Sequence, residues 1–179
     1  MKRDVILVDV IESVISEMVV ANPDGGNFSI NYQYGRSIDV LKELNNLDNS
    51  VSSKGNKYPL IAMIVPIREN RGSGFYATAK IDRIVIATIT KTFDGNQSIS
   101  ERYNSTGTFK TVLYPLYYEF LKRLAFSPYI IGSDPDNFVH TKIDNPGKQP
   151  IGEGLTDFID SIEILNLEII LNQIKTCKS

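Results

Sequence analysis

The sequence is poor in the side chains that bind transition metals. It contains one histidine, His140, and one cysteine, Cys177, which lie far apart in the chain. A zinc site needs three or four such ligands close together, so a zinc centre is not expected. A single cysteine also excludes an internal disulfide and favours a reducing compartment. We therefore expect no metal and no other cofactor.

Long apolar runs and a strong excess of one charge are also missing. No apolar run approaches the roughly 20 residues that a membrane-spanning helix needs, and the first residues do not have the pattern of a signal peptide. The 19 basic side chains are nearly balanced by 21 acidic ones, which gives a net charge of −2. Proteins that bind nucleic acid tightly carry a basic surface. The sequence thus predicts no membrane insertion, no export and no tight nucleic-acid binding.

No residue pattern marks a catalytic or ion-binding site. There is no Gly-x-Ser-x-Gly motif, the glycine-rich stretch 71–74 lacks the Lys-Ser/Thr of a phosphate loop, and the stretch 134–137 lacks the spacing of a calcium loop. A carboxylate pair such as Asp157 with Asp160 could act as acid and base. On a strand, however, these two residues face opposite sides, so we expect them to be exposed to solvent. The sequence predicts a protein that is not an enzyme.

Hydrophobic periodicity divides the chain into seven predicted elements. In chain order they are a helix at 5–20, a strand at 28–34, a short helix from Ser37, a strand at 58–67, a strand at 75–93, a helix at 109–124 and a strand at 158–172. The order α-β-(α)-β-β-α-β contains no repeat and no alternation of parallel βαβ units. We predict an α+β fold in which two main helices pack on one face of a four-stranded sheet that is antiparallel, or in part mixed.

Individual residues indicate where these elements begin and where they are irregular. Asp4 is available as the N-cap of the first helix. Pro115 either kinks the helix at 109–124 or begins its regular part, because proline removes a backbone donor. The apolar residues of the last strand change phase, and a bulge near Ile164-Leu165 would reconcile the two phases.

The whole chain, residues 1–179, is predicted to form one domain with three long loops. The loops are 45–57, 94–107 and 129–154. The last one holds three prolines and four glycines, and a compact domain rarely carries such an irregular segment without a use for it. We expect a partner contact there.

Two segments are predicted to contact other proteins. Apolar side chains in a polar loop are poor choices for a surface unless they are buried on assembly, and Phe138 and Val139 are such side chains. The tip of the predicted hairpin is charged and exposed. The predicted contact residues are Arg68, Glu69, Asn70 and Arg71 at the hairpin tip, and Asn137, Phe138, Val139, His140 and Lys142 in the long loop.

The order of elements and several short sequence segments resemble a known family. The segments are Lys57-Tyr58-Pro59-Leu60-Ile61, Ile84-Val85-Ile86-Ala87-Thr88, Phe109-Lys110-Thr111-Val112-Leu113-Tyr114-Pro115 and Ile162-Glu163-Ile164-Leu165-Asn166-Leu167-Glu168. With the N-terminal helix, they resemble the tail-terminator and tail-completion proteins of tailed bacteriophages over nearly the whole chain. The first and third segments also resemble neck or ring proteins of phages that infect Bacteroidetes.

This resemblance implies a structural virion protein made in the host cytoplasm. Such a protein forms a homo-oligomeric ring, of six or twelve copies, at the head-tail junction. Neighbouring portal, neck or tail proteins stack above and below, and DNA passes through the lumen without sequence-specific binding. A slightly acidic chain fits a conduit that must not hold DNA tightly. The long segments 94–107 and 129–154 depart from the compact family and imply added contacts with a neighbouring protein.

Two alternatives remain open on sequence grounds. The first is a different phage assembly factor, such as a head-completion, stopper or tail-tube protein. The second is a small-molecule-binding domain or enzyme, in which the hairpin and the segment 129–154 serve as a lid. That alternative requires a concave pocket with convergent polar groups.

Overall fold

A computed structural model describes residues 5–49, 57–72, 76–90, 99–131, 134–147 and 159–172. Within those ranges the helices are α1 (Leu7–Ser16), α2 (Ser37–Asn49), α3 (Ile99–Arg102) and α4 (Tyr114–Phe126). The strands are β1 (Asn31–Gly35), β2 (Leu60–Asn70), β3 (Tyr76–Ile89), β4 (Ile130–Ile131), β5 (Thr141–Asn145) and β6 (Ile159–Asn172). A π-helical segment (Phe109–Leu113) leads into α4, and a turn of 3₁₀-helix (Pro135–Asn137) lies between β4 and β5. No helix in these ranges has both the length and the apolar character needed to span a bilayer.

All six described strands belong to one mixed, strongly curled half-barrel sheet. The hairpin predicted from the sequence is present, because β2 pairs with β3 in antiparallel orientation. On the far side, β3 pairs with β6, and β6 in turn pairs with β4 and β5, which follow one another along its other edge. At the opposite edge, β1 pairs with β2 in parallel orientation. The described strands therefore leave β1 at one edge of the sheet and β4 with β5 at the other.

The α+β class is confirmed, but the predicted four-stranded antiparallel sheet is wrong. The parallel pair arises because β1, α2 and β2 form a βαβ unit, in which the helix carries the chain back to the same end of the sheet. The other two strands were missed because β4 and β5 are short and lie inside the proline-rich segment that was predicted as an irregular loop. Their pairing with β6 depends on distant residues, which local periodicity does not report.

The sheet separates two hydrophobic clusters. On one face, called here the helix face, α1 and α4 pack together over the sheet, as predicted. On the other, called the outer face, α2 packs against a smaller cluster that includes Leu60, Val85 and Ile159. The central parts of β2 and β3 are continuously apolar because they are buried on both faces.

Pro115 lies in the first turn of the regular α-helix, immediately after the π-helical segment. The chain forms the π-helical segment through Leu113, and α4 starts at Tyr114 with the proline in its first turn. The π-helical segment continues directly into α4: the Tyr114 N–H donates to the Phe109 carbonyl, and Pro115, which has no N–H to donate, follows it. The first helix is shorter than predicted, and the suggested cap, Asp4, lies outside the described residues.

The three long strands, β2, β3 and β6, each depart from regular strand geometry at the same level of the sheet, and the sheet bends there. On β3 the residues that face the helices change phase between Ile81 and Ile84, and β6 does the same between Ile164 and Leu167. Asn166 lies at this point of β6 with a φ of 55°. The register of β3 with β6 continues unbroken, with Ile81 opposite Leu167 and Ile84 opposite Ile164. The predicted bulge at Ile164-Leu165 is therefore wrong, because no extra residue is present.

The extra residue lies on β2 instead. Its pairing with β3 shifts between Ile64 and Ile67, around Pro66, which cannot donate to the sheet. The bend divides the sheet into two halves. The half that includes Leu60 and Val85 is covered on its outer face by α2. The other half, formed by residues 67–70, 76–81 and 167–172, is called here the groove half, and no described helix packs on its outer face.

Candidate assembly surface

A groove of about 590 Å³ lies on the outer face of the groove half. Alternate residues of β2, β3 and β6 form its floor, and residues around β4 and the 3₁₀ turn form one wall. The lining residues are Arg68, Glu69, Asn70, Thr78, Ala79, Lys80, Ile131, Asp134, Phe138, Val139, Glu168, Ile169 and Ile170.

The strand register arranges the floor in two rows. One row crosses the sheet from Asn70 through Thr78 and Ile170 to Ile131, because each residue is paired with the next. The second row runs through Arg68, Lys80 and Glu168. It continues to the wall because the Glu168 N–H donates to the Val139 carbonyl at 3.0 Å. The floor is therefore polar on the β2 side and apolar on the β4 side.

The apolar side of the groove is unusually exposed. Val139 is 65% exposed, Ile131 46% and Ile170 39%. Single exposed aliphatic residues are common, but these three line one concave surface. Contiguous exposed apolar residues with a polar rim are typical of a surface that another molecule covers.

Most charges of the floor are paired within the chain, whereas Asp134 at the wall is not. Arg68 contacts Asp82 at 3.0 Å, and Lys80 contacts Glu168 at 3.2 Å. At the wall, the Asp134 carboxylate accepts the Asp136 N–H at 3.0 Å and so caps the 3₁₀ turn. Within the part of the chain that the structure describes, Asp134 forms no ion pair. The wall beside the apolar residues therefore carries one carboxylate that has no ion-pair partner.

The structure brings the two predicted contact segments together around this groove. Arg68, Glu69 and Asn70 line it from one side, and Phe138 and Val139 from the other. The first three belong to β2, so the strand continues further than predicted. Asn137 belongs to the adjoining 3₁₀ turn. Whether these residues contact a partner remains a prediction.

Other predicted contact residues have partners away from the groove. Arg71 contacts Glu69 at 2.7 Å and donates a second hydrogen bond to the Val5 carbonyl at 3.4 Å. His140 and Lys142 point toward α4. Their side chains stabilise neighbouring parts of the same chain.

Sequence analysis missed several groove residues on β3, β4 and β6. They are Thr78, Lys80, Ile131, Glu168 and Ile170. The alternation of Glu168 and Ile170 with buried neighbours was visible, but it indicated only a strand with one exposed face. Which of the exposed positions form a concave surface depends on the bend of the sheet.

His140 and its neighbours fix the wall of the groove against α4. The Nδ1 of His140 donates to the Phe138 carbonyl at 2.8 Å, because a carbonyl can only accept. In the neutral ring Nε2 is then an acceptor, and it receives the Tyr117 hydroxyl at 2.6 Å. This pair positions the backbone immediately next to Val139.

A second polar cluster fixes β5 against α4. The Tyr114 hydroxyl donates to Asp144 Oδ2 at 2.8 Å, and Lys142 Nζ contacts Asp144 Oδ1 at 2.5 Å. The ammonium group of Lys142 also lies 4.6 Å from the centre of the Tyr114 ring, within the range of a cation–π interaction. All of these groups have partners, so the cluster is structural.

Burial raises the pKa of four described tyrosines above the ordinary value of about 10. They are Tyr32, Tyr103, Tyr114 and Tyr117. Burial has the largest effect in each case, because it disfavours the charged phenolate. At Tyr114 the hydrogen bond to Asp144 adds to it, since the neutral hydroxyl is the donor.

These raised pKa values predict a loss of stability at alkaline pH. The folded state holds the phenolic protons more tightly than the unfolded state, so the stabilisation is complete below about pH 10 and declines as the pH rises above it. Urea unfolding at several pH values should show the free energy of unfolding falling above about pH 10. Tyr32→Phe should reduce that fall. It should cost little at pH 7, because the Tyr32 hydroxyl has no hydrogen-bond partner among the described residues. Equal pH slopes for the variant and the original chain would contradict this account.

Asp160, which sequence analysis placed in solvent, is fully buried. Its Oδ1 accepts hydrogen bonds from Arg102 and from the Gly147 N–H, the latter at 2.8 Å, and its Oδ2 accepts the Thr108 hydroxyl. The predicted exposure is wrong because α3, the π-helical segment and the chain after β5 converge on this end of β6. Both oxygens are occupied by hydrogen bonds, so the carboxylate ties three segments together. It is not a free acid or base; its proposed companion, Asp157, lies outside the described residues.

Among the described residues, no group of three or more His, Cys, Asp or Glu side chains could hold a metal ion. No family model, no curated protein sequence and no solved structure matches the chain. The groove is therefore the surface from which function has to be inferred.

Proposed function

We propose that the chain is a structural protein that forms a ring at the head-tail junction of a tailed bacteriophage. The observation that carries the assembly function is the groove, where exposed Ile131 and Ile170 lie beside exposed Val139 of one predicted contact segment. Burying these side chains against another protein would remove apolar surface from water, which favours association.

The phage assignment rests on the sequence resemblance to tail-terminator and tail-completion proteins. In this role a tail terminator or neck ring joins portal, neck or tail proteins around the DNA channel. A net charge of −2 is compatible with DNA passing through a lumen, because strong attraction to phosphate would slow its passage. Other phage assembly roles, namely head completion, stopper and tail tube, share the requirement for self-association or docking.

Small-molecule binding is the second candidate function. A volume of about 590 Å³ lies within the range of ligand sites, and the hairpin strands and the 134–139 segment flank it as a lid would. The groove is open along the sheet, however, and its charged floor residues are already paired. A thermal-shift screen with small molecules tests this candidate directly.

The mass of the native particle tests the ring. Light scattering and sedimentation over a concentration series should show assembly, and electron microscopy should show closed rings of six or twelve copies with a central hole. A chain that stays monomeric at the highest attainable concentration would contradict self-assembly into a ring.

Deletion of residues 134–149 would remove the wall of the groove but would not isolate the contact. This stretch contains β5, which pairs with β6 and contacts α4 through Asp144. The deletion would damage the fold, so single substitutions in the groove are the appropriate variants.

A further inference from the structure

A pocket of about 280 Å³ lies between α1 and the chain that leads into β1. Glu12, Ile15 and Ser16 of α1 form one wall, because residues three and four positions apart lie on the same side of a helix. The opposite wall consists of alternate residues, whose side chains point to one side of an extended segment. They are Phe28, Ile30 and Tyr32. The pocket is therefore on the helix face of the sheet, whereas the groove is on the outer face.

The hydroxyl group of Tyr32 is buried and has no hydrogen-bond partner among the described residues. Most buried polar groups in proteins are hydrogen-bonded, because an unsatisfied group has lost its bonds to water without replacement. Burial raises the pKa of this hydroxyl, and the negative charge of Glu12 in the opposite wall raises it further. The hydroxyl is thus close enough to the Glu12 carboxylate to interact with it, and it remains neutral at ordinary pH.

Two more oxygen-bearing groups of the pocket are available as acceptors. Within the described part of the chain, the Glu12 carboxylate forms no ion pair, and no lysine or arginine lines the pocket. The Ser16 hydroxyl donates its proton to the Ser13 carbonyl at 2.8 Å, so its oxygen can still accept. With the Tyr32 oxygen, three acceptors line one small pocket, and one of them carries a negative charge.

These features match a primary ammonium group on an alkyl chain. An ammonium group has three N–H donors and no acceptor, and its positive charge complements that of Glu12. Ile15, Met18 and Phe28 provide apolar surface for the alkyl chain. The volume is just below the usual range of ligand sites, so the pocket suits a group of only a few heavy atoms.

We propose that this pocket binds the ammonium group of a primary alkylamine, with Glu12, Ser16 and Tyr32 as its acceptors. Binding gives the buried Tyr32 hydroxyl the partner that it lacks within the chain. A free small amine and the side chain of a lysine on another protein end in the same group, so both are sources of this ligand. The site is separate from the groove and does not depend on the ring function.

Titration with butylammonium chloride tests the site on the full chain. Saturation-transfer NMR observes the small ligand, so it works whether or not the chain assembles. We expect saturable binding in the millimolar range, because so small a ligand makes few contacts. 1-Butanol has the same length without the charge and should bind at least about tenfold more weakly. Equal binding of butanol, or no saturable binding of butylammonium, would overturn the proposal.

Three single variants locate the bound cation. Glu12→Gln keeps the size but removes the charge, and it should weaken butylammonium binding at least about tenfold. Tyr32→Phe removes one acceptor and should weaken binding about threefold. Glu17→Gln is the matched control, because Glu17 is an exposed residue at the end of α1 that does not line the pocket. It should bind like the original chain, and circular dichroism should show the same fold for all three variants. If Glu12→Gln binds as tightly as the original chain, the ammonium group does not bind here.

The methylamide of N-acetyl-lysine distinguishes the two sources of the ligand. If it binds at least as tightly as butylammonium, the pocket accepts a lysine side chain that is attached to a backbone, as on a partner protein. If butylammonium binds and the lysine derivative does not, the ligand is a free small amine. Both results support the ammonium site. If neither compound binds, the site is wrong, and the ring function is unaffected.

Discussion

Replacing Asp160 with alanine is expected to lower the free energy of unfolding by about 3–5 kcal/mol, because it removes one partner of a buried ion pair. The Arg102 side chain is only 16% exposed, and without the carboxylate its positive charge remains buried. Thr108 and the Gly147 N–H lose their acceptor at the same time. Urea unfolding followed by circular dichroism measures the loss.

Two further variants separate the charge from the packing at this position. Asp160→Asn keeps the size and an acceptor oxygen, so we expect a smaller loss of about 1.5–3 kcal/mol. In an Arg102→Met background, Asp160→Ala should cost less than in the original chain, because no buried cation is left behind. If the alanine substitution costs the same in both backgrounds, the ion pair is not the reason for the loss.

Replacing Phe120 with alanine should cost a similar amount, about 3–5 kcal/mol, for a different reason. Phe120 is fully buried on the face of α4 that packs against α1 and the sheet. Truncation removes its apolar surface from the core and leaves a cavity that the surrounding strands cannot fill.

The same helix offers the control for this substitution. Phe126 is the last residue of α4 and is 68% exposed. Phe126→Ala makes the same chemical change with little loss of packing, and surface substitutions of this kind usually stay within about 0.5 kcal/mol. Equal effects at the two positions would mean that α4 does not pack as described.

Prediction from the sequence succeeded where a single segment carries its own signal. The spacing of apolar residues after Phe109 predicted the core helix, and the continuous run from Leu60 predicted a strand inside the sheet. The apolar pair Phe138 and Val139 was singled out because it stands in a polar surrounding, and both residues line the groove. In each case the informative residues lie within a few positions of one another.

Prediction failed where the outcome depends on residues far apart in the chain. β5 has an ordinary polar sequence. It forms a strand because it pairs with the edge of β6 and because Asp144 accepts a hydrogen bond from Tyr114 of α4. Asp160 is buried because three distant segments meet over it. No local pattern around this residue distinguishes a buried carboxylate from an exposed one.

The sequence by itself determined the α+β class, the main helix, the central hairpin and the absence of an established catalytic motif. These features follow from residue type and from the spacing of apolar residues, which can be identified within one short segment of the chain. Only the tertiary structure decided the number and direction of the strands, the bend of the sheet and the groove that the bend creates. These depend on which strand edges meet and in which register, and that choice is set by packing between residues that are dozens of positions apart.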